Sequence, residues 1–278
     1  MMRAVSWNCR GATADRPVWD YLLDLTPDLA LLQEVGNLSK HVERRYASTF
    51  GSIRPITKTG APQRFRTGIL ARGTIGDRIN LQSNYPWVNA ELDRLAGYFV
   101  GAQVHLACGA QVEAISVHAP AWVVARSRLV GIDPRPVRLV QSRDVWPADI
   151  LYAALDYNKP QPSEPWIIAG DFNLCETFDL WKGGPRGNRE YLDKIELNLA
   201  LVDCLRHTKG VCWPTFRRIQ GGEITNQLDY LFVTDILRTS LVACDTSSRE
   251  HIFDGRLSDH LPIVADFALG EALRTTRC

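Results

Sequence analysis

The sequence holds no CxxC pair, no apolar run long enough to span a bilayer and no surplus of either charge. Each absence removes a class of protein. The seven cysteines (Cys9, Cys108, Cys175, Cys204, Cys212, Cys244 and Cys278) are scattered and odd in number, which argues against a disulfide framework and against a Cys-rich zinc site. Lack of a long apolar run leaves no membrane partner to expect. The opening Met1-Met2-Arg3-Ala4 has no apolar stretch of the secretory kind, so a reducing, cytoplasmic setting is expected. Lys+Arg is 32 and Asp+Glu is 31, a net charge of +1, which excludes a protein that is basic all over and an acidic-tail protein. Internal repeats and low-complexity tracts are also missing.

What is present is ordinary globular material: 278 residues, 45% of them hydrophobic, enough to build a sizeable core. Basic residues are mostly Arg, 26 against 6 Lys. Genome composition accounts for such a bias, and so does a preference for the planar guanidinium fork that suits phosphate. The net charge conceals a local excess. Between Lys40 and Arg78 nine cations face two anions, a balance of +7 that leaves −6 on the rest of the chain. Such a segment suits a polyanion if its cations share one groove, and is a solvated surface if they do not.

Short apolar runs of four to eight residues predict strands at Ala4–Trp7, Leu29–Leu32, Gly68–Ala71, Trp87–Ala90, Tyr98–Val104, Val112–Val117, Trp166–Ala169, Leu228–Val233, Leu241–Ala243 and Leu261–Phe267. Helices are expected at Pro17–Leu25, Leu38–Tyr46, Pro136–Leu155 and Arg189–Leu201. The mixture predicts a layered α/β or α+β domain. Asn158–Pro165 is short and leads straight into a strand, so it reads as a loop and residues 1–278 as one domain.

The polar residues carry the functional signal. Several apolar runs stop at one small set of side chains: Asn8, Glu34, His118, and Asp171 with Asn173. Two other runs begin at such residues, at Asp229 and at Asp259-His260. Taken singly, each has an ordinary reading as a turn residue, a helix cap, a solvated carboxylate or a half-buried imidazole. Taken together, strand ends can converge on one rim of a rigid scaffold, where functional groups usually sit. The oxygen donors suit a hard cation, Mg²⁺ or Mn²⁺. The histidines add donors, and the set is what hydrolysis of a phosphate ester requires.

Ser6-Trp7-Asn8, Leu32-Gln33-Glu34, Ser116-Val117-His118-Ala119-Pro120, Gly170-Asp171-Phe172-Asn173, Gln227-Leu228-Asp229-Tyr230 and Ser258-Asp259-His260-Leu261-Pro262 resemble the motifs of the endonuclease/exonuclease/phosphatase superfamily. The resemblance runs from Asn8 to Pro262 and implies a four-layer sandwich, two face-packed mixed sheets flanked by helices, as in DNase I. It also implies roles. Glu34 would be the principal metal ligand, with Asn8 beside it and Asp259 completing that site or a second one. Asp171 would deprotonate the attacking water, and Asn173 would orient it and the phosphate. His260, held by Asp229, would stabilise the phosphoryl charge. His118 would donate to the phosphate or assist the leaving group.

Within the superfamily, His at position 118 resembles DNase I, sphingomyelinases and inositol phosphatases, whereas exonuclease III and abasic-site enzymes tend to carry Tyr there. The upstream Glu that DNase I pairs with this His is missing from Arg64–Thr67, leaving Glu91 or Glu113 as substitutes. Cys212–Arg218 resembles a substrate-facing loop. Trp213 or Phe216 would stack on a base, and Arg217, Arg218 and Arg66 would meet phosphates; equally, Trp213 would be core and the Arg pair solvated. The expected activity is a divalent-metal-dependent phosphodiester hydrolase, a monomeric nuclease acting on DNA. The alternative is a hydrolase of a small or lipid-derived phosphate ester.

Overall fold

The computed structural model describes residues 1–139, 142–182, 186–217, 224–270 and 273; Arg218 lies outside them. Along the chain the strands are β1 (Met2–Ala12), β2 (Leu29–Val35), β3 (Ala47–Phe50), β4 (Arg66–Ala71), β5 (Gly73–Arg78), β6 (Phe99–Leu106), β7 (Gln111–His118), β8 (Trp166–Asp171), β9 (Val202–Asp203), β10 (Asp229–Val233), β11 (Leu241–Thr246) and β12 (Ile263–Phe267). The helices are α1 (Val18–Leu25), α2 (Lys40–Arg45), α3 (Pro86–Leu95), α4 (Pro147–Asn158), α5 (Asn188–Asn198), α6 (Cys204–Lys209) and α7 (Asp235–Arg238).

Two six-stranded mixed sheets result, ordered β11-β12-β1-β2-β4-β3 and β5-β6-β7-β8-β10-β9. Each has one parallel pair near its middle, β1 with β2 and β7 with β8, and the other pairs are antiparallel. Strand alternation divides the side chains between two burial layers. Met2, Ala4, Leu29, Leu31, Ile69, Ala114, Ala169, Leu231 and Ile263 pack between the sheets. Their neighbours of opposite parity, Val5, Trp7, Ala30 and Leu32, pack under Val18, Trp19 and Leu22 of α1. On the other sheet Ile115, Val117 and Ile168 pack under α3, α4 and α5. Strands covered on both faces read as continuous apolar runs, and all six residues of β8 are buried.

Two sequence expectations are corrected. Trp87–Ala90 lies inside α3 and is not a strand. Pro86 occupies the helix start, and Val88, Leu92 and Leu95 are buried at helical spacing, a period that a four-residue window cannot show. Pro136–Leu155 is not one helix. Val137 and Arg138 both donate to the Pro134 carbonyl in a turn, and α4 starts only at Pro147, where the Asp149 carboxylate accepts from Trp146 N at 2.8 Å. Strands β3 and β5, both partly exposed, lie outside the predicted runs.

Candidate active site

The two parallel pairs bring their carboxyl ends to the same rim. In the register, His118 of β7 lies opposite Asp171 of β8, and Asp171 lies opposite Asp229 at the start of β10. Asn8 of β1 lies opposite Gln33 of β2, two positions beyond the Ser6–Ile263 pairing with β12. The inward parity of the core continues up to this rim. Ser6 and Asn8 follow Ala4, Gln33 follows Leu31, Ser116 and His118 follow Ala114, and Asp171 follows Ala169. The space between the sheets therefore changes from apolar to polar toward this rim.

Glu34 breaks the alternation. Parity would place it on the outer face with Leu32, but the β2 register shifts between Leu32 and Val35, and Glu34 takes a left-handed φ of 49°. That bulge turns its carboxylate to Asn8, whose Nδ2 reaches Glu34 Oε1 at 3.4 Å and Asp171 Oδ2 at 3.1 Å. Asn173, also left-handed at 50°, folds back on Asp171. Its backbone N donates to Oδ1 at 2.9 Å and its Nδ2 to Oδ2 at 3.1 Å. Gly170 precedes Asp171 with φ 148°, and a Cβ there would meet the Val117 carbonyl oxygen at 1.8 Å, so this approach requires glycine.

His260 Nδ1 meets Asp229 Oδ2 at 2.8 Å, and the Thr215 hydroxyl donates to the same oxygen at 2.7 Å. On the other side, His260 Nε2 is 3.8 Å from Asp171 Oδ2. Burial opposes charge on this imidazole, but Asp229 and Asp171 more than offset it and raise His260 to about 10. Burial pushes the Asp171 carboxyl up, against the pull of His260. His118 is different. Burial, then the neighbouring His260, lowers it to about 3, so its imidazole is neutral at physiological pH. Its Nε2 is 3.7 Å from Glu34 and 4.0 Å from Asp171, its Nδ1 is buried without a partner, and its ring packs on Phe65 and Tyr98. Neither Glu91, bonded to Arg128 at 2.6 and 2.9 Å, nor Glu113, bonded to Gln103, supplies the carboxylate partner sought for His118.

The donor set fits a hard divalent cation. Its side chains offer carboxylate oxygens at Glu34, Asp171 and Asp259, and burial raises the Glu34 carboxyl, a cost that a bound cation would offset. Asp171, Asp229 and His260 form one group that could hold such an ion, their ligand atoms lying within 4.8 Å of one another. Glu34, Asn8 and Asp259 are the other oxygen-bearing side chains expected to hold a cation. Asp259 faces Arg10 at 3.9 Å, and its charge is felt by both Glu34 and His260.

The remaining predicted contacts are dispersed. Arg66 stacks on the Phe50 ring at 4.0 Å beside the β4 end of the rim. Arg217 bonds Asp254 and, with Arg10, Arg256 and Asp259, lines a cavity of about 650 Å³. Trp213 packs against the inter-sheet core with Lys209 and Arg249 near its ring, whereas Phe216 is the aromatic that reaches the site, 4.9 Å from His260. The Lys40–Arg78 cations do not share one groove. Arg66 and Arg78 meet Phe50, while Arg72 pairs with Asp28 at the opposite end of the sheet. Sequence reading did not single out Gln33, Thr215, Tyr98 or Ser258, whose hydroxyl accepts from His260 N and donates to the Asn8 carbonyl. Gln33 and Ser258 stand inside the quoted motifs without a role assigned to them, and Thr215 is a buried polar residue of the Cys212–Arg218 stretch.

Fold and site together define a class, a hydrolase built on the DNase I-like sandwich. The chain belongs to the Endonuclease/Exonuclease/phosphatase family, whose profile matches residues 5–260. Similar solved structures include an AP endonuclease from Archaeoglobus fulgidus, with 17% identity, TM-score 0.66, and 97% of this chain and 100% of that chain covered. A 3′ phosphatase from Neisseria bound to a product DNA hairpin has 16% identity and TM-score 0.64, covering 97% and 100%. An endonuclease/exonuclease/phosphatase from Beutenbergia cavernae has 19% identity and TM-score 0.62, covering 98% and 72%. No curated protein is matched by the sequence.

Proposed function

We propose that this protein is a Mg²⁺- or Mn²⁺-dependent phosphodiester hydrolase acting on DNA. The observation that carries the reading is His260 held between Asp229 and Asp171, beside the Glu34–Asn8 pair. Asp171, raised by burial and aligned by Asn173 and Asn8, takes the proton of a water attacking phosphorus in line. His260 faces the phosphoryl oxygen on which charge grows, and Asp229 keeps it protonated. His118, neutral, donates a hydrogen bond to a phosphate oxygen. A divalent cation held by Glu34, Asn8 and Asp259 would supply Lewis-acid stabilisation of that negative charge.

DNA is favoured by the arginines flanking the rim: Arg10, Arg217 and Arg256 on one side and Arg66 on another. Relatives of the same fold include the 3′ phosphatase bound to a DNA hairpin and the AP endonuclease. A compact phosphate ester is the second reading, favoured by the division of the Lys40–Arg78 cations between opposite ends of the sheet. The test is turnover with Mg²⁺ or Mn²⁺ against plasmid, single-stranded DNA, RNA, inositol phosphates and sphingomyelin. Cleavage of DNA that stops with chelator is expected. Inertness on nucleic acids with turnover of a small ester would overturn the choice of DNA.

A further inference from the structure

Two cysteines lie on the loops that frame the candidate site and take no part in the proposed chemistry. Cys175 follows Asn173 by two residues on the segment leaving β8, and Cys212 opens the stretch that carries Thr215 and Phe216. Their Sγ atoms are 3.9 Å apart. The Thr177 hydroxyl lies 3.1 Å from Cys175 Sγ, and Gln227 Oε1 accepts from the Trp213 backbone N at 2.9 Å, fixing the chain next to Cys212. Cys175 is fully buried, whereas Cys212 is partly exposed, so one thiol is open to solvent and its partner waits beneath it. The hydrogen bond between them lowers the Cys175 thiol to about 6 and raises that of Cys212, so the thiolate of the pair is Cys175.

We propose that Cys175 and Cys212 are an oxidation site, converted by hydrogen peroxide into a disulfide that shifts the Thr215–Asp229–His260 array. The inference uses the proposed function only in that the array it moves is the one assigned to phosphoryl chemistry. Chemically, the Cys175 thiolate attacks peroxide, the O–O bond breaks, and with one proton from solvent a Cys175 sulfenic acid and one water form. The Cys212 sulfur then attacks Cys175 Sγ, the S–O bond breaks, and the hydroxyl leaves with the Cys212 proton as a second water. Two thiols and one peroxide thus give one disulfide and two waters, the sulfurs losing two electrons to the peroxide oxygens.

The consequence for the site is geometric. A disulfide holds its sulfurs at about 2.05 Å, so the two sulfurs, 3.9 Å apart, must close by roughly 2 Å. Cys175 is fully buried and Cys212 partly exposed, and the chain runs from Cys212 through Trp213 and Pro214 to the buried Thr215. That stretch carries the Thr215 hydroxyl, 2.7 Å from Asp229 Oδ2, and the Phe216 ring against His260. Thr215 also receives the backbone N of Leu228 and of Asp229 at 3.1 Å, so its displacement acts on the start of β10 directly.

The test needs no substrate. Intact protein is treated with one equivalent of peroxide and mapped by mass spectrometry under non-reducing conditions, while the downfield proton resonance of the His260–Asp229 bond is followed by NMR. Of seven thiols titrated in the denatured chain, two should disappear, in a peptide pair joining residues 175 and 212. The His260 resonance should shift, and reductant should restore both. Cys212→Ser should abolish crosslink and shift together, and Cys108→Ser, removing the partly exposed thiol of the β6–β7 turn, should leave both intact. Peroxide that oxidises Cys108 or scatters its products without a 175–212 link overturns the pair. A 175–212 link that leaves the His260 resonance unmoved overturns its coupling to the site. Failure of the proposed hydrolase to turn over would register in neither measurement.

Discussion

His260 Nε2 stands 3.8 Å from Asp171 Oδ2 while its Nδ1 is held by Asp229 at 2.8 Å. One buried imidazole thus spans two buried carboxylates that belong to adjacent antiparallel strands. The span is close enough to favour a proton on the ring yet leaves Asp171 without a short bond to it.

Asp229→Asn tests this arrangement. The amide keeps the shape but removes the charge that holds the His260 proton, so turnover should fall on the order of 10²–10³ with a nearly unchanged melting temperature. His260→Ala should fall as far, and the double variant little further, because the two side chains act as one unit. Additive losses in a double-mutant cycle would separate them.

Glu34 combines a left-handed backbone with a carboxylate raised by burial, and both cost stability. Glu34→Gly relieves the backbone and removes the desolvated charge. The expected outcome is a rise in melting temperature with loss of turnover and of Mn²⁺ binding by calorimetry. Unchanged Mn²⁺ affinity would remove Glu34 from the cation site.

At Gly170 any Cβ would collide with the Val117 backbone. Gly170→Ala should cost at least about 2 kcal/mol in urea unfolding, with no change in charge or polarity to share the effect.

Asp149, buried at the start of α4, is pushed up to about 7 by desolvation. A carboxyl whose folded value exceeds its unfolded value of 3.8 binds more proton when folded, so its contribution to stability declines as pH rises from about 4 to 7. Asp149→Asn retains an acceptor for Trp146 N and never ionises. Thermal melts should show the variant more stable than the parent at pH 8 and the two converging near pH 4. Parallel curves would refute the assignment.

Arg10, Arg217 and Arg256 share one cavity beside Asp259. If the ligand is DNA, replacing all three by Ala should reduce the slope of log affinity against log salt by roughly two to three. An unchanged slope would place the strand elsewhere.

The strand ends at Asn8, His118 and Asp171 were readable because the polar residue follows an apolar run with unchanged parity. Glu34 was readable as a run terminus, but its direction was not, since the bulge that turns it depends on pairing with β1 and β4. Trp87–Ala90 misled because a short apolar run carries no period, and the burial of Val88, Leu92 and Leu95 needed the whole of α3. Phe65, Tyr98 and Phe216 surround the histidines through contacts distant in sequence, which no local pattern encodes. The charge excess of Lys40–Arg78 was arithmetically correct and spatially divided, because β4 carries Arg66 and the chain just beyond it carries Arg72 to opposite ends.

Gln33 joins the two sheets beneath the rim. Its Nε2 donates to Ser116 Oγ at 3.1 Å, and the Ser116 hydroxyl donates to the Leu32 carbonyl at 3.2 Å. Asn8 and Glu34 rise from one sheet and His118 and Asp171 from the other, so these bonds act as a spacer setting the gap across which the two halves must cooperate. The candidate site is in effect a mechanical joint between two plates, and its tolerance is set by the fully buried amide of Gln33 and hydroxyl of Ser116.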